Sequence, residues 1–130
     1  MKTNIGIERR FKGDFQNVMD RTIAALKAEG FGVLTTVDVK TTLKEKLNVD
    51  YARYVILGVC NPPLAYKALS TTKEVGLFLP CNVIVYEDAT GEIVVSAFNP
   101  LLINEIMPES GLSEMAGTAH SKLTTALGKI

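Results

Sequence analysis

The sequence has few of the residues that most often carry enzyme chemistry. Its 130 residues include one histidine, two cysteines and no tryptophan. A single histidine leaves few candidates for a general base, and two cysteines do not make a disulfide framework. No phosphate-binding Walker loop, Ser-His-Asp candidate or pair of catalytic carboxylates stands out. The motifs therefore indicate no particular reaction.

The sequence also lacks net charge and long apolar runs. Its 14 Lys and Arg residues balance 14 Asp and Glu residues, so there is no bulk attraction to phosphate backbones or anionic membranes. No apolar run approaches the roughly 20 residues that span a bilayer. The N-terminal segment MKTNIGIERR lacks the apolar stretch of a signal peptide. We therefore expect a cytoplasmic protein with neither nucleic acid nor membrane as a partner.

The length and the apolar content predict one globular domain over residues 1–130. Hydrophobic residues make up 47% of the chain, and this length is typical of a single domain. Linkers, low-complexity stretches and internal repeats are all missing from the sequence. Alternating apolar and polar residues predict five strands, at 3–11, 31–39, 51–60, 77–87 and 92–98.

Capping residues and apolar periodicity place the helices between these strands. Asp14 is a good N-cap for a helix that Gly30 ends, and an apolar stripe predicts a final helix over 112–128. Thr42 with Glu45 forms a capping-box pattern that predicts a short helix over 42–47. Asn61-Pro62 is typical of a helix start. A separate short helical or irregular segment is predicted at 101–107, after the fifth strand. The loop 88–91 is predicted to join the last two strands as a hairpin.

This order predicts an α+β fold with an antiparallel five-stranded sheet. The elements run β-α-β-β-β-β-α with short helical inserts, and the two main helices are expected to cover one face of the sheet. The strand predicted at 77–87 is apolar on both sides. One side carries Leu77, Leu79, Val83 and Val85, and the other carries Phe78, Ile84 and Tyr86. Because one helix layer buries only one face, we expect a homodimer that covers the second.

Three segments resemble one known family. They are GFGVLT at 30–35, ILGVCNP at 56–62 and GLFLPCNVIVYE at 76–87. In this order and spacing the chain is similar to the bacterial and archaeal family called domain of unknown function 302. The resemblance implies an α+β fold in the broad TATA-binding-protein-like class, and a dimer. It implies no activity, and it assigns no role to His120.

The two cysteines are the first candidates for a functional site. If the third and fourth strands pair antiparallel, Cys60 and Cys81 lie at the same edge of the sheet, and we expect them to be close, reduced and not bonded to each other. Cys60 also precedes a helix N-terminus, which favours a thiolate and therefore a redox or thiol-reactive site. The alternative is that both are small buried apolar side chains.

The residues beside the cysteines complete the candidate binding site, which is Cys60, Asn61, Pro62, Cys81 and Asn82. Asn61 either caps the helix that Pro62 begins or presents its amide to a ligand. Asn82 lies within an apolar strand, where a buried amide needs a partner in the fold or in a ligand.

A metal site built from Cys60, Cys81, His120 and a carboxylate is disfavoured, because there is one histidine and no ligand-spacing motif. Gly30-x-Gly32 lacks the third glycine of a dinucleotide-binding motif and precedes a strand rather than following one. We therefore predict no metal, and the sequence names no cofactor.

Three functions remain open from the sequence. The leading hypothesis is a small dimeric module that binds a ligand or a partner without turnover, in a groove beside the five candidate residues. The second is a thiol-dependent redox or reactive-group enzyme that uses Cys60 or Cys81. The third is a structural subunit of an assembly.

Overall fold

The computed structural model describes residues 5–130, and its centre is one antiparallel sheet. The strands lie in the order β1-β5-β4-β3-β2, and each neighbouring pair is antiparallel. Their bounds are β1 Gly6–Phe11, β2 Gly32–Asp38, β3 Tyr54–Cys60, β4 Cys81–Glu87 and β5 Ile93–Phe98. The helices are α1 Phe15–Ala28, α2 Val39–Leu47, α3 Pro62–Thr71, α4 Leu102–Ile106 and α5 Ser113–Gly128, and a 3-10 helix spans Lys73–Phe78. The predicted α+β class and five-stranded sheet are confirmed.

Helices α1 and α5 cover one face of the sheet, as the apolar stripes predicted. The Asp14 carboxylate accepts a hydrogen bond from the backbone amide of Asn17 at 2.8 Å, and Gly30 follows α1 with φ +87°. Leu26 of α1 and Leu123 of α5 are fully buried in the same core as the inward side chains of the sheet. Those inward residues include Leu57, Val59, Val83, Val85, Val95 and Ala97.

The fourth strand begins later than predicted. Residues 77–80 were expected to open it, but Leu77 and Phe78 end the 3-10 helix and the strand starts at Cys81. Pro80 explains the difference, because proline has no N–H to donate to a strand ladder. Leu77 is consequently 83% exposed rather than part of an apolar strand.

The short helix after β2 is also longer than predicted. It begins at Val39, because the Asp38 carboxylate accepts a hydrogen bond from the Thr41 amide at 3.0 Å and acts as the N-cap in place of Thr42. It ends at Leu47, as predicted, and Asn48 follows it as the C-cap in a left-handed conformation with φ 54°.

The first and third predicted strands need small corrections at their starts. The first strand was predicted over 3–11, of which residues 3 and 4 lie outside the described residues and Gly6–Phe11 forms β1. The third strand was predicted from residue 51 and begins at Tyr54. β1 pairs with β5, at the far edge of the sheet from β2.

The hairpin between β4 and β5 is held by the Asp88 side chain, in the loop that was predicted. Its carboxylate accepts from the backbone amide and the hydroxyl of Thr90 and forms an ion pair with Arg10. The Thr90 hydroxyl, followed by Arg10, holds the pKa of Asp88 well below its ordinary value, at about 2.

The second face of the sheet carries apolar side chains without a helix layer over them. We call this the open face, and its central residues are Tyr54, Ile56, Ile84 and Tyr86, paired across β3 and β4. All four are half-buried, and the two tyrosine rings stack at a centroid distance of 5.2 Å. The two-sided apolar character predicted for the fourth strand therefore holds for its residues 83–86.

Candidate functional site

A small apolar cavity lies at the end of the sheet where β3 stops and β4 begins. It has a volume of about 70 Å³ and lies beneath α3. Val59 and Cys81, which pair across the two strands, form part of one wall. The inner side of α3 forms another, through Leu64, Ala65 and Ala68.

The remaining wall is a second hydrophobic cluster outside the main core. Its buried members are Val75 of the 3-10 helix, Ile103 of α4 and Leu112 at the start of α5. Met115 packs against this cluster and also lines the cavity. Val75 was not predicted as a site residue, because the strand was predicted to begin at residue 77 and no pattern assigned the residues just before it.

Asn61 caps α3, as predicted, and its side chain is used within the fold. It is 9% exposed, its amide oxygen accepts from the Leu64 amide at 3.4 Å, and its amide nitrogen donates to the Glu29 carbonyl at 3.3 Å. Pro62 is the first residue of the helix and is exposed. Asn61 therefore joins the start of α3 to the end of α1 rather than presenting a free amide to the cavity.

We expect Asn61→Ala to lower the free energy of unfolding by about 0.5–2 kcal/mol, the usual loss for an N-cap. The alanine would leave the Leu64 backbone amide and the Glu29 carbonyl without this partner, and the fold would not change. Urea denaturation of the two proteins measures the difference. Equal midpoints would mean that the two long hydrogen bonds contribute nothing to stability.

Cys60 and Cys81 both line the cavity, and both are free thiols. The antiparallel register puts Cys81 opposite Val59, so Cys60 and Cys81 lie at the same end of the sheet, as the sequence predicted. Burial raises the pKa of the Cys81 thiol to about 11, and the nearby Cys60 adds a smaller increase. The Cys81 side chain is therefore a neutral thiol at physiological pH.

Asn82 does not share a site with Cys81. Successive strand residues point to opposite faces, so Asn82 lies on the open face, opposite Gly58, while Cys81 faces the helices. Asn82 is exposed, which corrects the expectation that its amide would be buried and need a partner. Of the five candidate residues, Cys60, Asn61 and Cys81 border the cavity, whereas Pro62 and Asn82 do not.

His120 lies on α5, partly exposed, and its backbone carbonyl accepts the Thr124 hydroxyl at 2.8 Å. It does not line the cavity with the two cysteines. Within residues 5–130, no three His, Cys, Asp or Glu side chains are grouped as metal ligands. Across the same part of the chain, none of the helices has the length and apolar character needed to cross a membrane.

The fold and the cavity define an α+β protein in which a five-stranded antiparallel sheet ends in a small apolar pocket. The family model for "Domain of unknown function DUF302" matches residues 7–130, and the chain belongs to this family. The chain is also similar to the crystal structure of an uncharacterized conserved DUF302 protein from Bacillus stearothermophilus. The two are 30% identical, the match covers 98% of each chain, and the TM-score is 0.89. No curated protein matches the chain.

Proposed function

We propose that this protein is a small binding module that takes a ligand in the cavity beneath α3 and does not transform it. The observation that carries the proposal is the character of the lining. It is almost entirely aliphatic and aromatic, and the one amide that borders it, Asn61, is already hydrogen-bonded within the fold. Ligand sites are typically lined by apolar side chains with few polar groups, and the lining of this cavity has that character.

The state of Cys81 supports binding over thiol chemistry. The nucleophile in cysteine chemistry is the thiolate, and catalytic cysteines have a pKa below the free value. Burial moves the pKa of Cys81 in the opposite direction, to about 11. A thiol-dependent redox or reactive-group enzyme using Cys81 would need an environment that stabilises the anion, and this apolar wall disfavours it.

The experiment that decides between these two functions is a titration of the Cys81 thiol. In a Cys60→Ser variant, the rate of alkylation by iodoacetamide against pH should give a pKa for Cys81 that stays above the free value of about 8.5, because burial is the larger cause of the shift. Cys60 itself is titrated in the matched Cys81→Ser variant. A pKa well below 8.5 for either thiol would contradict the binding module and favour the thiol enzyme.

We also propose that the protein is a homodimer that associates through the open face. The face carries two stacked tyrosines and two isoleucines, and Val37 on the neighbouring strand is 43% exposed. Apolar patches of this kind on a sheet mark interaction surfaces. A second copy of the chain would present the same patch, which suits the self-complementary interface of a two-fold dimer.

The remaining expectations from the sequence follow the same proposal. A cytoplasmic location would keep both thiols reduced. The zero net charge disfavours nucleic acid and anionic membranes as partners, so we expect the partners to be a second copy of the chain and a small molecule.

A further inference from the structure

The apolar cavity adjoins a polar surface groove, and the two share part of their lining. Leu64 of α3 and Met115 of α5 line both of them, so these two side chains stand at the boundary. The groove runs between α3 and α5 and has a volume of about 470 Å³. A ligand that passes between Leu64 and Met115 would therefore occupy both spaces.

The two spaces differ sharply in polarity. Among residues 5–130, no charged side chain lines the cavity, and Cys81 in its wall is a neutral thiol. The groove is bordered by hydroxyl groups and by one side chain of each charge. Its polar residues are Tyr66, Lys67, Ser70, Thr71, Glu114 and Thr118.

The volumes limit the shape of the part that enters the cavity. At about 70 Å³ the cavity is well below the roughly 150 Å³ of an apolar cavity that holds benzene, so a narrow chain end fits better than a ring. The groove, at about 470 Å³, lies within the usual range of roughly 300–1,000 Å³ for ligand pockets.

We propose that the cavity and the groove together bind a single-chain amphiphile, with its hydrocarbon end between α3 and the sheet and its hydrogen-bonding head group in the groove. This inference rests on the proposed binding function and names the ligand class. An apolar end leaves no polar group unpaired in the cavity, whereas a polar end would lose its water there without gaining a partner.

Two matched ligands test the polarity of the cavity. We expect 1-hexanol to bind saturably, with its methyl group near Ala68 and its hydroxyl-bearing carbon near Thr118 in nuclear Overhauser spectra. The same chain with a hydroxyl at both ends, 1,6-hexanediol, should bind at least tenfold more weakly, because its second hydroxyl would be buried without a partner. Equal affinity for the two ligands, or no saturable binding of 1-hexanol, would overturn the proposal.

Matched variants test whether 1-hexanol binds in the cavity. Ala65 and Ala68 are half-buried small residues on the α3 wall, so Ala65→Leu or Ala68→Leu would place a larger side chain in the cavity. Each should weaken 1-hexanol binding at least tenfold, while Ala24→Leu on the exposed side of α1 should leave it unchanged. The two filling variants are made separately, so that a folding defect in one does not decide the result. If both fold and bind as the parent does, the ligand site is elsewhere.

The results separate this inference from the proposed function. Failure of 1-hexanol to bind, while the pKa of Cys81 stays above the free value of about 8.5, would rule out the amphiphile and leave a binding module for another ligand. A Cys81 pKa well below 8.5 would remove the binding module itself.

Discussion

Replacing Ile84 with lysine should prevent the proposed dimerisation and leave the protein monomeric. Ile84 lies at the centre of the open face, paired with Ile56 on one side and Ser96 on the other. In a single chain the lysine ammonium can reach water from this half-buried position, so the fold should survive. In a two-fold interface two ammonium groups would lose water close to each other, which opposes association strongly.

Light scattering at micromolar concentration measures this change directly. The parent should have twice the 14.1 kDa mass of one chain, and Ile84→Lys should have the mass of one chain. Ile106→Lys is the matched control, because Ile106 is 61% exposed on α4 and lies outside the sheet. A parent that is monomeric, or an Ile84→Lys variant that stays dimeric, would contradict association through the open face.

Gly58→Ala should lower the free energy of unfolding by about 1–3 kcal/mol, the usual cost of forcing an extra group into a packed site. A Cβ atom at position 58 would lie 2.8 Å from Cγ of Pro80 and would also overlap the Thr35 hydroxyl. Thr35 can rotate away, but the proline ring is rigid and directly precedes Cys81. The substitution should therefore displace the start of β4 as well as destabilise the sheet.

The neighbouring strand supplies the control for this prediction. Gly32 lies in β2, and a Cβ atom there would meet nothing within 4 Å. Gly32→Ala should therefore have the stability of the parent, or slightly more, because alanine restricts the unfolded chain. Urea denaturation of the three proteins is the measurement. Similar losses in both variants would mean that the close approach of Pro80 to Gly58 is not the cause.

The sequence predicted best those features that depend on neighbours along the chain. The caps at Asp14 and Asn61 each need one side chain and an amide three residues later, so their signals are local. The placement of Cys60 and Cys81 at one end of the sheet followed from antiparallel pairing of successive strands, and the register confirms it.

Features that depend on distant residues could not be predicted in this way. The pairing of β1 with β5 joins segments that are 82 to 92 residues apart in the chain, from Phe11 with Ile93 to Gly6 with Phe98, and periodicity carries no information about it. The cavity is likewise assembled from separate segments, because Val75, Ile103 and Leu112 meet through packing rather than through a motif.

Two of the predictions that the structure corrects could have been avoided from the sequence. Pro80 argued against a strand through residues 77–80, since proline cannot donate to the ladder of a central strand. The period of two along a strand also puts Cys81 and Asn82 on opposite faces, so the two could not share a pocket. The more specific TATA-binding-protein-like class stays a prediction.

The central claim is that the cavity beneath α3 is a ligand site for an apolar group, and a crystal structure of the protein with 1-hexanol tests it most directly. We predict hydrocarbon density in the cavity between Ala68 and Met115, with the hydroxyl in the groove beside α5. Ordered water molecules in the cavity, with 1-hexanol absent or bound elsewhere, would contradict the claim.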